Sequence, residues 1–170
     1  MIIGKNFFII EIPKTGTSFL RNYFRKYQNV LITTHHDTIE HNPKFNLLKK
    51  KYTLCLPCIE KVESFLVFKR WDLETEMKVG KFKINEPNNK LFEEPSKILV
   101  PLLAFDSNNY RLGYGGGFYD RTFANLKELN FNFYSVGFAF DDQKQEKLPK
   151  EIFDYKLDFV LTEKELYKFI

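Results

Sequence analysis

Four of the chain's eight glycines fall within five consecutive positions: Gly113, Gly115, Gly116 and Gly117, interrupted only by Tyr114. Neither a helix nor a strand interior tolerates that density, because each glycine surrenders more backbone freedom on ordering than any other residue. The stretch is therefore a loop, and the elements on either side have to be arranged around it. Ahead of it, Ile98–Phe105 is apolar almost throughout and predicts a buried strand. Asp106-Ser107-Asn108-Asn109 is turn chemistry, short polar side chains that hydrogen-bond their own backbone. Behind it, Phe118-Tyr119-Asp120-Arg121 leads into a helix predicted over Thr122–Leu129. A glycine loop between a buried strand and a helix start is an anion cradle, since bare amides and the helix dipole both favour phosphate. Arg111 and Arg121 flank it as forked phosphate donors, and Asp120 offers a carboxylate for a metal on the same phosphates. The loop has neither the Rossmann spacing nor the Lys-Ser/Thr of a P-loop, and a purely structural hairpin is the other reading of the same residues.

The formal net charge of +4 suits an anionic ligand but is too small, and too evenly spread, to argue for nucleic acid. At 170 residues, with 44% hydrophobic and 28% charged residues, the chain can bury a sizeable core, which 19 Phe and 9 Tyr would fill. No apolar run is long enough to span a bilayer, and Phe7–Ile10 is too short for a signal sequence, so a cytoplasmic protein without a membrane partner is expected. Cys55 and Cys58 form a CxxC inside an apolar stretch with no second pair to complete a zinc site, and they read as buried structural thiols.

Along the chain, a short strand at Phe7–Ile10 runs into Pro13-Lys14-Thr15-Gly16-Thr17-Ser18. A helix follows over Phe19–Tyr27, with Phe19, Leu20, Tyr23, Phe24 and Tyr27 on one face and Arg21, Arg25 and Lys26 on the other. This is a second phosphate-cradle pattern, and residues 7–41 resemble the opening of the sulfotransferase fold. His35, His36, Asp37, Glu40 and His41 can be read as metal ligands or as a solvated loop. Further on, strands are expected around Cys55, over Phe65–Arg70, Phe133–Phe140 and Phe159–Thr162, with short helices at Glu74–Gly80 and Glu163–Phe169 and a connecting turn at Lys81–Pro87. Strands separated by crossovers predict an α/β fold with an open, largely parallel sheet flanked by helices.

Residues 47–170 resemble the 5-formyltetrahydrofolate cyclo-ligase (methenyltetrahydrofolate synthetase) family. The likeness is carried by LCLP at 54–57, FKRW at 68–71, GKFKINEP at 80–87, VPLLAFD at 100–106, RLGYGGGFYDR at 111–121, VGFAF at 136–140 and PKEIFDYKLDFVLTE at 149–163. The resemblance implies a sheet like that of the ribose-phosphate isomerase and coenzyme A transferase superfamily. It also implies ATP- and Mg2+-dependent conversion of 5-formyltetrahydrofolate to 5,10-methenyltetrahydrofolate, with release of ADP and phosphate. Carried over by position, Arg111, Tyr114 and Asp120 are the catalytic residues, and Arg111, Leu112, Gly113, Tyr114, Gly115, Gly116, Gly117, Phe118 and Tyr119 bind ATP. The same resemblance puts Tyr114, Gly115, Gly116, Gly117 and Phe118 against the folate, Asp120 and Asp154 on magnesium, and Trp71 either against the pterin or in the core. Small-molecule substrates and a monomer are expected.

The family's basic helix with its Lys-x-x-x-Arg motif, and the helix bearing a pterin-binding glutamate, are not recognisable before Leu47. Residues 1–46 therefore read as an atypical strand-loop-helix segment joined to a cyclo-ligase-like domain, with Lys14 and Arg21 as the basic residues able to replace the missing helix. Two other functions stay open at this point: a sulfonucleotide-binding protein working through Lys14–Ser18, and a structural α/β domain whose glycine loop contacts a partner.

Overall fold

A computed structural model describes residues 8–11, 30–33 and 52–170. The chain divides into two compact units, Met1–Leu54 with Trp71–Glu76, and Cys55–Arg70 with Met77–Ile170. In the first, β1 (Phe8–Glu11) pairs in parallel with β2 (Val30–Thr33). The helix expected over Phe19–Tyr27, the Lys14–Ser18 loop and the His35–His41 cluster lie outside the described residues.

The second unit is built on a four-stranded sheet. In the order β14-β13-β11-β8, the strands β8 (Lys97–Pro101), β11 (Tyr134–Phe138) and β13 (Phe159–Leu161) run parallel, and β14 (Leu166–Lys168) pairs antiparallel on the edge opposite β8. Strand β8 alternates, with Ile98 and Val100 buried, as a strand with one covered face must. The covering element is α1 (Phe118–Glu128), which buries Thr122, Phe123 and Leu126 at helical spacing. Phe123 is completely buried and shares one apolar cluster with Ile98, Val100, Leu102, Phe105, Leu157 and Val160. Two bonds end the helix: Asn130, in the left-handed region at φ 54°, donates to the Lys127 carbonyl, and Phe131 donates to that of Leu126. That is a Schellman closure with asparagine at the position glycine usually holds.

Three smaller sheets complete the unit. β3 (Cys55–Cys58), β4 (Val67–Arg70) and β7 (Phe92–Glu93) are antiparallel, as are β5 (Met77–Val79) and β6 (Asn85–Pro87). β9 (Ala104–Asp106) lies between β10 (Arg111–Leu112), antiparallel, and β12 (Lys144–Gln145), parallel.

Several expectations are corrected. The sheets are mixed rather than largely parallel, and among the described residues α1 is the only α-helix. Ile98–Phe105 is two strands in different sheets, because the chain leaves β8 at Pro101, which has no N–H to continue the ladder. Glu163–Phe169 is a turn and a strand: the Thr162 hydroxyl oxygen accepts from the Lys164 and Glu165 amides, turning the chain back so that Lys168 lies opposite Phe159. Glu74–Gly80 is not helical either. The Asp72 carboxylate closes a turn by accepting from the Glu74 amide and the Thr75 hydroxyl, and β5 begins at Met77. Lys81–Pro87, expected to be a turn, ends in β6.

Two positions test this packing. A Cβ on buried Gly137 would lie 2.6 Å from Leu157 Cδ1, 2.8 Å from Leu102 Cδ2 and 3.0 Å from Val160 Cγ2. Gly137→Ala should therefore destabilise the unit by about 1–3 kcal/mol, read as a lower urea midpoint at unchanged slope. Asp141 accepts from the Tyr167 hydroxyl and, at 2.9 Å, from Lys164. The tyrosine hydrogen bond, then the lysine, hold its carboxyl below the ordinary 3.8. Its contribution is thus complete above that value and is lost as pH falls through the lowered one. Asp141→Asn should flatten the fall of the thermal midpoint on acidification below about pH 4, where carboxylates titrate, and a profile parallel to the parent's would refute the linkage.

Candidate functional site

The β9–β10 hairpin sets the glycine loop in place. At its tip Asp106 is 1% exposed, with Oδ1 accepting from the Asn108 and Tyr110 amides at 2.9 and 3.0 Å. Asn109 takes the left-handed conformation the tight turn needs, at φ 74°. The turn chemistry expected of Asp106–Asn109 is thus present in the form the residue types suggest. Residues Gly113–Gly117 then lead to α1, whose cap residue Gly117 sits at φ 62° and offers no side-chain cap. The amides of the first helical turn, which no helix can satisfy internally, open toward the loop. A Cβ added to Gly113 or Gly115 would meet no heavy atom within 4 Å, so the loop's outer face is open, and Gly115 also needs its φ of 85°. Tyr114 stands out from this face at 77% exposure.

Arg121 braces the inner side of the loop. It donates to the carbonyls of Gly116 (2.6 Å) and Ser64 (3.1 Å) and lies over the Phe118 ring at 5.3 Å. Any side chain at Gly117 would meet its Nη1 at 2.6 Å. Two of the four glycines are thus open to a ligand, while Gly117 makes room for an arginine.

Arg111 and Asp120 meet each other. Arg111 Nη2 donates to Asp120 Oδ2 at 2.9 Å, Arg111 Nη1 donates to the Tyr155 carbonyl at 3.1 Å, and the Tyr155 amide donates to Asp120 Oδ1 at 3.0 Å. The guanidinium also packs over the Phe123 ring at 5.7 Å, and its side chain is only 6% exposed against 20% for Asp120. This closed knot brings segment 154–155 to the start of α1, and Asp154 with it. Asp154 is half-buried; its Oδ2 accepts from the Glu151 amide at 2.7 Å. Each carboxylate retains lone pairs beyond these bonds. Among the described residues no three acidic, histidine or cysteine side chains form a ready metal cage. Two carboxylates completed by phosphate oxygens are nevertheless the donor set that magnesium commonly uses. Burial pushes the Tyr119 phenol up to about 12, with the Arg111 charge opposing, so this tyrosine stays protonated at neutral pH.

An aromatic that sequence reasoning passed over borders the loop. Phe82, in the segment read as a turn, is 64% exposed and meets the Phe118 ring edge-on at 6.2 Å. Phe82 and Lys83 both sit in the left-handed region, at φ 56° and 59°, a costly pairing for residues with side chains. Buried Glu86 supports the same hairpin: Oε1 accepts from the Ile59 amide at 3.0 Å, and the carboxyl lies where a Gly80 side chain would have to be. The repeated lysines around Phe82 mask it in the sequence; consecutive positive φ angles are its signal, and only coordinates show them. Trp71 belongs to the other unit and is buried at 5% exposure, without a ring face open to solvent. The cysteines are free thiols, Cys58 buried and Cys55 half-buried, both pushed up to about 11 by burial, which suits packing rather than redox chemistry.

A family model described as the 5-formyltetrahydrofolate cyclo-ligase family matches residues 20–163, beginning ahead of the expected boundary at Leu47. The 5-formyltetrahydrofolate cyclo-ligase of Haemophilus influenzae is 40% identical over 103 residues, covering 58% of this chain and 54% of the relative. That of Escherichia coli K12 is 35% identical over 108 residues, covering 61% and 58%. The chain thus spans somewhat more than half the length of these curated relatives. Among solved structures, the 5,10-methenyltetrahydrofolate synthetase of Aquifex aeolicus superposes with a TM-score of 0.60 at 32% identity, over 74% of this chain and 63% of that one. No helix among the described residues is long and apolar enough to cross a membrane. A matched segment of this extent, holding the glycine loop, the Arg111–Asp120 knot and the parallel strands beneath them, places the chain in the 5-formyltetrahydrofolate cyclo-ligase family.

Proposed function

We propose that this chain converts 5-formyltetrahydrofolate to 5,10-methenyltetrahydrofolate at the expense of ATP, with residues 47–170 as the cyclo-ligase-like part and residues 1–46 as an atypical opening. The observation that carries the reading is the knot joining the glycine loop to Asp154 through Arg111, Asp120 and Tyr155. In support, it gathers an open row of amides, a helix start and the Asp120 carboxylate, and it ties in the backbone next to Asp154. A cytoplasmic monomer acting on small molecules fits this reading, as does a sheet akin to the ribose-phosphate isomerase and coenzyme A transferase superfamily, on the strength of the parallel β8–β11–β13 core.

The chemistry asks for alignment more than for a protein nucleophile. An N-formyl carbon is a poor electrophile, so its oxygen first attacks the γ-phosphorus of ATP, the bond to the β-phosphate oxygen breaks, and ADP leaves. N10 then attacks the activated carbon and gives up its proton to solvent, and the former formyl oxygen departs within inorganic phosphate. The amides of Leu112–Tyr119 and the start of α1 hold the phosphates, and Arg121 keeps the loop in shape for them. Asp120 and Asp154 would hold magnesium, which on binding supplies charge neutralisation to the transferring phosphoryl group. Arg111 orients Asp120 and adds positive charge behind it. Tyr114 and Phe82 provide exposed aromatic faces for the flat pterin, a role better suited to them than to buried Trp71.

The growth of methenyltetrahydrofolate absorbance on adding protein to 5-formyltetrahydrofolate, ATP and Mg2+ tests the whole. No product from folded protein, together with no heat of MgATP binding by calorimetry, would refute it. Asp120→Asn keeps an acceptor for the Tyr155 amide but removes the charge; it should cut the turnover at least ~100-fold, several kcal/mol of lost transition-state stabilisation, while the fold survives. Arg111→Ala leaves Asp120 without its charged partner. Because Asp120 retains some solvent, destabilisation of about 3 kcal/mol is expected, at the lower end for breaking a buried pair, and denaturant titration measures it.

A further inference from the structure

Each strand of the Arg111–Asp120 knot has a neighbour that faces elsewhere. One residue before Arg111, and one after Tyr155, Tyr110 and Lys156 line a cavity of about 390 Å3 together with Asp106, Asn108, Lys147, Leu148 and Lys150. None of the glycine-loop residues contributes to this lining. Its volume lies within the range of small-molecule sites.

The charges around it are unbalanced. Lys147, Lys150 and Lys156 bring three ammonium groups against one carboxylate. That carboxylate, Asp106, is engaged elsewhere: Oδ1 holds the Asn108 and Tyr110 amides, and Oδ2 accepts from the Leu148 amide at 3.1 Å. It ties the two walls of the cavity together. Among the described residues none of the three lysines has a carboxylate within ion-pair distance, although Glu146 and Glu151 are their neighbours in sequence. Lys150 and Lys156 instead converge on a single ring, each Nζ lying 5.3 Å from the centre of Tyr110. Two cations gathered on one aromatic, with a third in the same lining, repel one another, and an anion of two or more charges relieves that repulsion.

The type of anion follows from the donors. The lining holds no arginine, whose planar fork matches carboxylate and phosphate alike; its cations are lysine ammonium groups, point charges that commonly bind phosphate. The side-chain amide of Asn108 adds a neutral donor. A hollow of this size, on a chain without a basic stripe, favours a small anion over nucleic acid.

We propose that this cavity is a second anion site, separate from the glycine loop, that takes a compact phosphate-class polyanion. The proposal does not depend on the folate reaction, so it stands or falls without reference to turnover. The probe is sodium pyrophosphate, titrated into the full chain by calorimetry and followed by amide NMR shifts. Shifts at Asn108, Tyr110 and Leu148 are expected, with affinity at least tenfold weaker in the double variant Lys150→Gln/Lys156→Gln and citrate at least fivefold weaker than pyrophosphate. The single variant Lys147→Gln, which leaves the Tyr110 stack intact, should weaken binding about threefold and serves if the double variant proves unstable. Shifts confined to Gly113–Gly117, or affinity within twofold of the parent in both sets of variants, would overturn the site. Citrate binding as tightly as pyrophosphate would overturn the phosphate assignment, and displacement of pyrophosphate by a short single-stranded oligonucleotide at lower concentration would overturn the small-anion reading.

Discussion

The contact on which the second unit depends is the ion pair between Arg111 and Asp120, closed at both ends on the backbone of Tyr155. It joins three separate pieces of chain: the short strand β10, the first turn of α1 and the segment that leads to β13. An isolated surface pair would contribute little, but here the guanidinium is nearly buried, stacked on Phe123, and bonded to a carbonyl as well as a carboxylate. Its geometry, rather than its Coulomb energy, is what matters. It fixes the Tyr155 backbone, next to Asp154, against the start of α1.

The same contact changes what Arg111 can do. From residue types alone it is a phosphate fork, and the flanking Arg121 is another. In the fold both arginines spend donors on the protein: Arg111 on Asp120 and Tyr155, Arg121 on Gly116 and Ser64. What stays bare on the outer face of the loop is main chain, at Gly113 and Gly115. This is a common outcome where a loop must be stiff to bind well, since an ordered cradle loses less freedom when its ligand arrives. The glycines divide accordingly. Gly113 and Gly115 keep the outer face bare, and Gly117 admits the arginine brace.

The aromatic surroundings obey a related logic. A flat ligand needs an exposed ring that is nonetheless held still. Phe82 is held by a hairpin with two left-handed residues, and the hairpin is held by the buried Glu86 carboxylate on Gly80. Strain of this sort persists only where its surroundings over-determine it, and it gathers at binding sites.

Much of this was legible in the residues themselves. The glycine cluster could only be a loop, Asp106–Asn109 could only turn, and the apolar run that begins at Ile98 could only be a buried strand. These are local properties, set by backbone freedom and side-chain direction over a few bonds. What the residues could not show was partnership. Whether Arg111 meets a ligand or Asp120, whether Ile98–Phe105 continues past Pro101 or changes sheet, and whether Glu163–Phe169 coils or extends all depend on groups elsewhere in the chain. The terminal segment has helix-forming residues, yet pairing with β13 and the Thr162 turn outweigh a propensity of a few tenths of a kcal/mol per residue. Phe82 was hidden for the same reason: its conformation is imposed by the hairpin and by Glu86, not by its own neighbours. Tertiary structure decides such cases because long-range pairings compete with local preferences that differ by less than one hydrogen bond.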